Sequence, residues 1–169
     1  MEPELQELLD KKACEEVLMR YARTLDWLDR EGQSSCFWPE AEVDYGFYAG
    51  DGTGWVETVM EVEAASQRRW HMSGGALIRI EGTTAYSECY GFTVSMAIDE
   101  DGNSVDSLFG GRYLDELEKR AGQWRISKRR YILDLSYQLP NGLEDLAKSG
   151  FNLPVLQIQQ PGHPDYREL

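Results

Sequence analysis

The sequence predicts an α+β fold: N-terminal helices packed on one face of a strongly curved, mixed or antiparallel sheet, closing a cone-shaped interior. Three observations predict it. Over residues 4–31 apolar side chains recur at three- and four-residue intervals. From residue 76 onward, four runs rich in β-formers follow one another. Short turn signals link those runs, at Glu81-Gly82, Asp99–Asn103 and Arg120–Gly122, as between antiparallel neighbours. Helices followed by a run of strands is the α+β order.

The opening helix places Leu5, Leu8, Leu9, Ala13, Val17, Leu18, Tyr21, Ala22, Leu25 and Leu28 on one side. Gly32 marks its stop, and Asp10–Lys12 is a place where it could divide in two. Pro39 ends any short helix in 34–38, and the alternation in EVDYGFY (42–48) predicts a strand. After the turn-rich AGDGTG, residues 55–69 return to helix, with Val56, Val59, Met60 and Ala64 inward and Arg68-Arg69 as a solvated helix end. His71 falls just before the strand ALIRIEG, and Trp70 beside it is placed at a pocket mouth. Three further strands follow, TTAYSECYGFTVSMAID, SVDSLFGGRYLDELEKR and GQWRISKRRYILDLSYQ. Gly91, Gly110 and Gly111 within them are expected to mark bulges or bends. Residues 1–138 are read as one domain. Residues 139–169 form a Pro- and Gly-containing tail in which Leu153, Val155, Leu156 and Ile158 pack on the domain or on a neighbouring subunit.

Composition narrows the function. A net charge of −13 over 169 residues repels nucleic acid and anionic lipid, so neither is an expected partner. No apolar run approaches the roughly 20 residues that span a bilayer, and the charged N-terminal stretch has no signal-like apolar centre. The expected location is cytoplasmic. Cys14, Cys36 and Cys89 are too scattered for a metal site and read as free, buried thiols. With two distant histidines, no HExxH, no P-loop and no G-x-G-x-x-G, neither metal nor cofactor is expected.

The order RYARTLDWLDREG, FWPEAEVDYG, an isolated histidine, and GRYLDELEKRAGQWRISKRRYILD resembles the nuclear transport factor 2-like superfamily, specifically its SnoaL-like branch, over residues 10–137. The resemblance implies the cone fold and an Asp–His pair within it. Such a pair serves scytalone dehydratase, bile acid 7α-dehydratase and hexachlorocyclohexane dehydrochlorinase. The matching positions here are Asp26 and His71, with Tyr21 and Tyr45 as polar pocket residues. The dehydratases carry a second polar His or Asp on the strand after the histidine, whereas GFTVSM (91–96) has no ionisable group. The dehydrochlorinase has a basic residue on the last strand, for which Lys128, Arg129 and Arg130 are the candidates here. If Trp124 and Ile126 face inward, alternation turns Lys128 and Arg130 the same way, and Arg130 is favoured.

These parts suit proton chemistry. An aspartate fixes the imidazole tautomer and stabilises the imidazolium, the imidazole abstracts a proton, and a tyrosine hydroxyl stabilises the developing oxyanion. The expected function is cofactor-independent elimination or isomerisation on a small hydrophobic cyclic molecule, with His71 as base and Asp26 as its partner. The alternative is a noncatalytic binding or assembly domain, such as the small subunit of a ring-hydroxylating dioxygenase. A homo-oligomer, dimer or trimer, is expected by analogy, with Tyr131 and Leu133 as contact residues on the convex sheet face.

Overall fold

The computed structural model describes residues 2–142, 148–150 and 161–169. Helix α1 (Pro3–Asp26) starts with Pro3 at a position where its missing N–H costs nothing, and buries Cys14, Val17, Leu18, Tyr21, Ala22 and Leu25 at helical spacing. It runs unbroken through Asp10–Lys12. Asp10 faces inward, accepting hydrogen bonds from Lys119 Nζ (2.6 Å) and Trp124 Nε1 (2.9 Å), so a charge that looks like a break is a tie to the sheet. The helix ends earlier than its apolar pattern suggests. Leu28 adopts φ +49°, and the Asp29 amide takes the Thr24 carbonyl. Asp29 then caps α2 (Arg30–Ser34) through the Gly32 amide, so Gly32 lies inside a helix rather than stopping one.

Strand β1 (Phe37–Asp44) starts before the alternating EVDYGFY stretch and absorbs Pro39 at a register irregularity. Strand β2 (Ala49–Gly50) is short. Helix α3 (Gly52–Ala65) is capped by the Asp51 side chain on the Gly54 amide. It stops before Arg68 and Arg69, which open the next strand instead of ending the helix; Arg69 is buried. The four long strands are β3 (Arg68–Glu81), β4 (Thr84–Ile98), β5 (Ser104–Arg120) and β6 (Gln123–Pro140), joined at the three turns the sequence marks.

The sheet order is β2-β1-β6-β5-β4-β3. Neighbours are antiparallel except β1 and β6, which are parallel, so the sheet is mixed. The sheet is curved and does not close into a barrel. Its bending follows from bulges, which add a residue to one strand and increase local twist. One lies between Ser73 and Ala76, at Gly74-Gly75, opposite Gly91–Cys89. Two more lie where β6 passes Gly110/Gly111 and Glu116/Leu117 of β5. At Gly111 a Cβ would stand 2.3 Å from the Ile132 carbonyl oxygen, and at Gly91 it would stand 2.4 Å from the Tyr113 ring. Glycine is the residue that lets the chain approach so closely.

Helices α1 and α3 lie against the sheet, α1 on β3 and α3 on β1. The core between them holds Leu25, Phe37, Trp55, Leu117 and Ile126, all almost completely buried. Cys14, Cys36 and Cys89 are buried free thiols. The Tyr166 hydroxyl donates to Asp29 (2.7 Å) and its ring meets Trp27, so residues near the C-terminus pack on the end of α1. Leu153, Val155, Leu156 and Ile158 lie outside the described residues. Among the described residues no helix is long and apolar enough to cross a membrane.

Candidate active site

Between the helices and the sheet lies a cavity of about 350 Å³. Its wall is mainly apolar, with Leu25, Val59 and Phe109 among the contributors, and it carries two polar groups of residues. Such a space suits a small organic molecule held by a few placed polar groups.

The first polar group gathers around His71. This residue lies within β3, not before it, and its ring turns toward the helices. Asp26 is the last residue of α1. Its Oδ1 lies 2.9 Å from His71 Nδ1, and its Oδ2 accepts the His71 backbone N–H at 3.2 Å. One carboxylate thus fixes both the ring and the main chain of the histidine. The side chains are 6% and 13% exposed, so the pair is shielded from solvent. On the opposite ring nitrogen, Nε2 lies 3.4 Å from Oε1 of Glu63, two residues before the end of α3. Arg69 braces both carboxylate-bearing helix ends, donating to the main-chain carbonyls of Glu63 (2.8 Å) and Asp26 (3.4 Å). Thr93 pairs with His71 across the sheet and Ser95 with Arg69; both line the cavity. Strand β4 therefore presents neutral hydroxyl-bearing residues to the wall beside His71.

Burial opposes charge on both partners, and their mutual contact opposes burial. On His71 desolvation pulls the pKa down, but Asp26 and Glu63 outweigh it and raise it to about 9. On Asp26 desolvation dominates, and the carboxyl sits above its usual value despite the histidine.

The second polar group is made of tyrosines. The Tyr21 and Tyr45 hydroxyls are 2.6 Å apart. The Tyr45 ring stacks on Trp55 at 3.9 Å and on Tyr131 at 5.1 Å between centroids. Burial raises both phenols, Tyr45 to about 12, so they stay protonated donors at neutral pH. Tyr21 and Asp26, five residues apart on α1, do not share one spot. Tyr21 joins Tyr45 and Tyr113, while Asp26 stands behind His71.

Two expected pocket residues lie elsewhere. Arg130 is exposed, because the bulge beyond Ile126 reverses the alternation and turns Arg129 inward. Arg129 is 1% exposed, holds Asp115 through two hydrogen bonds (2.8 and 2.7 Å), and lies over the Tyr21 and Tyr113 rings. Trp70, half exposed, alternates with His71 and so points to the outer face of the sheet. The same reversal puts Tyr131 and Leu133 on the cavity wall rather than on the convex face. Glu63 escaped the sequence reading, though a signal existed. It follows Val59 by four residues and Met60 by three, so it falls on the buried side of its helix.

Comparison with known proteins agrees with this architecture. The SnoaL-like domain profile matches residues 6–130, and the chain belongs to that family. The solved structures it superposes on share its fold, the nuclear transport factor 2-like one. Among solved structures, a hexachlorocyclohexane dehydrochlorinase (LinA) type 2 superposes with a TM-score of 0.72 at 17% identity, over 82% of this chain and 94% of that one. A proposed scytalone dehydratase from Novosphingobium aromaticivorans gives 0.69 at 17% identity, over 94% and 97%. The Kfla4162 protein from Kribbella flavida gives 0.71 at 16% identity, over 78% and 95%. No curated protein matches the sequence significantly.

Proposed function

We propose that the protein is a cofactor-independent enzyme. It uses the Asp26–His71 pair to abstract a proton from a small hydrophobic cyclic molecule, leading to elimination or isomerisation. The observation that carries this reading is the 2.9 Å Asp26–His71 contact, which holds the imidazole on the wall of a mainly apolar cavity. Asp26 holds Nδ1, which leaves Nε2 as the nitrogen that faces substrate. The Tyr21–Tyr45 pair, still protonated at neutral pH, is placed to donate to an oxyanion formed when a carbon acid loses its proton.

Proton abstraction can be tested without the natural substrate. Cyclic ketones incubated with the protein in deuterium oxide exchange their α-hydrogens, which NMR follows directly. The wild type is expected to accelerate exchange, and His71→Ala to lower it by about a hundredfold or more while keeping its far-UV circular dichroism. Equal exchange in the two proteins overturns the reading.

A second reading rests on the outer face of the sheet. Trp70, Met72, Leu77, Tyr86 and Tyr90 are all exposed on β3 and β4. A homo-oligomer, or a role as an assembly domain, would cover them. A monomer in sedimentation equilibrium, with exchange activity intact, discounts that alternative.

A further inference from the structure

Among the described residues the cavity wall carries one carboxylate, Glu63, and the reading above gives it no task. Its side chain is 11% exposed. The Arg69 Nε–H goes to the main-chain carbonyl of Glu63, leaving the carboxylate oxygen at 4.0 Å. The nearest ionisable group on the other side is His71 Nε2, at 3.4 Å. The two side chains come from different elements, α3 and β3, and both face the cavity.

We propose that Glu63 and His71 form an acid–base couple sharing one proton between Oε1 and Nε2, and that this couple fits the site to neutral, hydroxylated cyclic substrates that lose water rather than to substrates that expel halide. The inference rests on the proton-abstraction reading and adds where the second proton comes from.

The proton count is the argument. In the resting couple His71 is an imidazolium and Glu63 a carboxylate. Moving the proton from Nε2 to Oε1 leaves a neutral imidazole beside a carboxylic acid, both on the same wall. His71 then takes the proton from a carbon next to a carbonyl. The electron pair of that C–H bond becomes the new C=C bond. The C–O bond to the leaving hydroxyl breaks, its electron pair stays with oxygen, and Glu63 gives its proton to that oxygen, releasing water. His71 is again an imidazolium and Glu63 a carboxylate, with no proton drawn from solvent. Isomerisation balances in the same way, Glu63 returning its proton to a different carbon. Halide leaves without a proton, so the couple would end each turnover carrying one too many. Since both groups share one wall, the hydrogen and the hydroxyl leave from the same face of the ring.

The charged groups facing His71 are Asp26 from α1, Glu63 from α3 and, on its own strand, Arg69, which contacts both of those residues. Strand β4 presents the neutral Thr93 and Ser95. The chain holds only His71 and His163, so imidazole NMR signals of isotope-labelled full-length protein assign readily. Wild-type His71 is expected to titrate near 9. Glu63→Gln should lower that midpoint by about one unit or more, and Asp26→Asn should lower it too. If the amide variant does not fold, Glu63→Asp, which draws the carboxyl back by one methylene, is expected to give a smaller shift in the same direction. A midpoint unmoved by either Glu63 variant but lowered by Asp26→Asn overturns the couple and leaves the Asp26–His71 reading standing. A midpoint unmoved by Asp26→Asn overturns that reading as well. The substrate class is tested with cyclic β-hydroxy ketones and their β-chloro counterparts. Wild type should dehydrate the hydroxy compounds, and Glu63→Gln should lose about a hundredfold on them with little loss on the chloro compounds. Chloride loss alone, no dehydration, or an equal loss on both series overturns the assignment.

Discussion

Arg129 sets the ground on which the tyrosines stand. Its guanidinium is sealed under the Tyr21 and Tyr113 rings and satisfied on one edge by Asp115, whose side chain is completely buried. Breaking such a pair is costly because the survivor is left charged and dry. Arg129→Met is therefore expected to lower unfolding free energy by about 3–5 kcal/mol in urea titrations. The double replacement with Asp115→Leu should recover much of that loss, since no charge remains buried. Arg129, Arg69, Glu63 and Asp10 share a lesson about legibility. Each is a charged residue in the interior, whereas the sequence reads Arg69 as a solvated helix end, Asp10 as a break, and Arg129 as one of three candidate basic residues on the last strand. Asp26 and His71 were legible because a family pattern named them. Glu63 had only its helical spacing to betray it, and Arg129, though among the three candidates on its strand, lost to Arg130 because unbroken alternation favours that neighbour.

The strands show why that rule failed. The hairpins were legible: a glycine turn between two β-rich runs fixes where strands end and which neighbours pair. The bulges were not. A single extra residue reverses inward and outward for everything beyond it, and nothing in WRISKRRYILD announces that it falls at Ser127. Gly111 marks one of these places, and its role is testable. Gly111→Ala puts a Cβ against the Ile132 carbonyl oxygen, a main-chain atom that cannot swing away. The variant should lose about 1–3 kcal/mol, measured by chemical denaturation, with the near-ultraviolet signal of the neighbouring tyrosines altered. The helix boundaries erred for a related reason. Amphipathic spacing continues past Asp26 to Leu28, but Leu28 itself takes a left-handed backbone that ends the helix.

At the scale of the whole molecule, the order of elements was enough to give the architecture, because helices before a meander leave few ways to bury both apolar faces. The cone-shaped interior was part of that expectation, but its full lining was not legible, since the wall draws on residues from α1, α3 and four strands. The site also leaves a mark on global stability. The His71 pKa in the folded state, about 9, lies above its ordinary value of 6.5, so folding favours the protonated form. That contribution is complete below the ordinary value and is lost as pH rises through the folded one. The melting temperature should therefore fall between about pH 6.5 and 9 in the wild type, and fall less in His71→Gln when scanned over the same range.

Asp26 closes α1 and Glu63 stands in the last turn of α3, so two helix ends bring their carboxylates to one imidazole while Arg69 takes up their main-chain carbonyls. With the imidazolium and the Arg69 guanidinium facing them, the two carboxylates are matched charge for charge, and a ligand's own charge finds no counterpart left over. Inhibitor searches will be best served by uncharged ring compounds that fill the chamber of about 350 Å³.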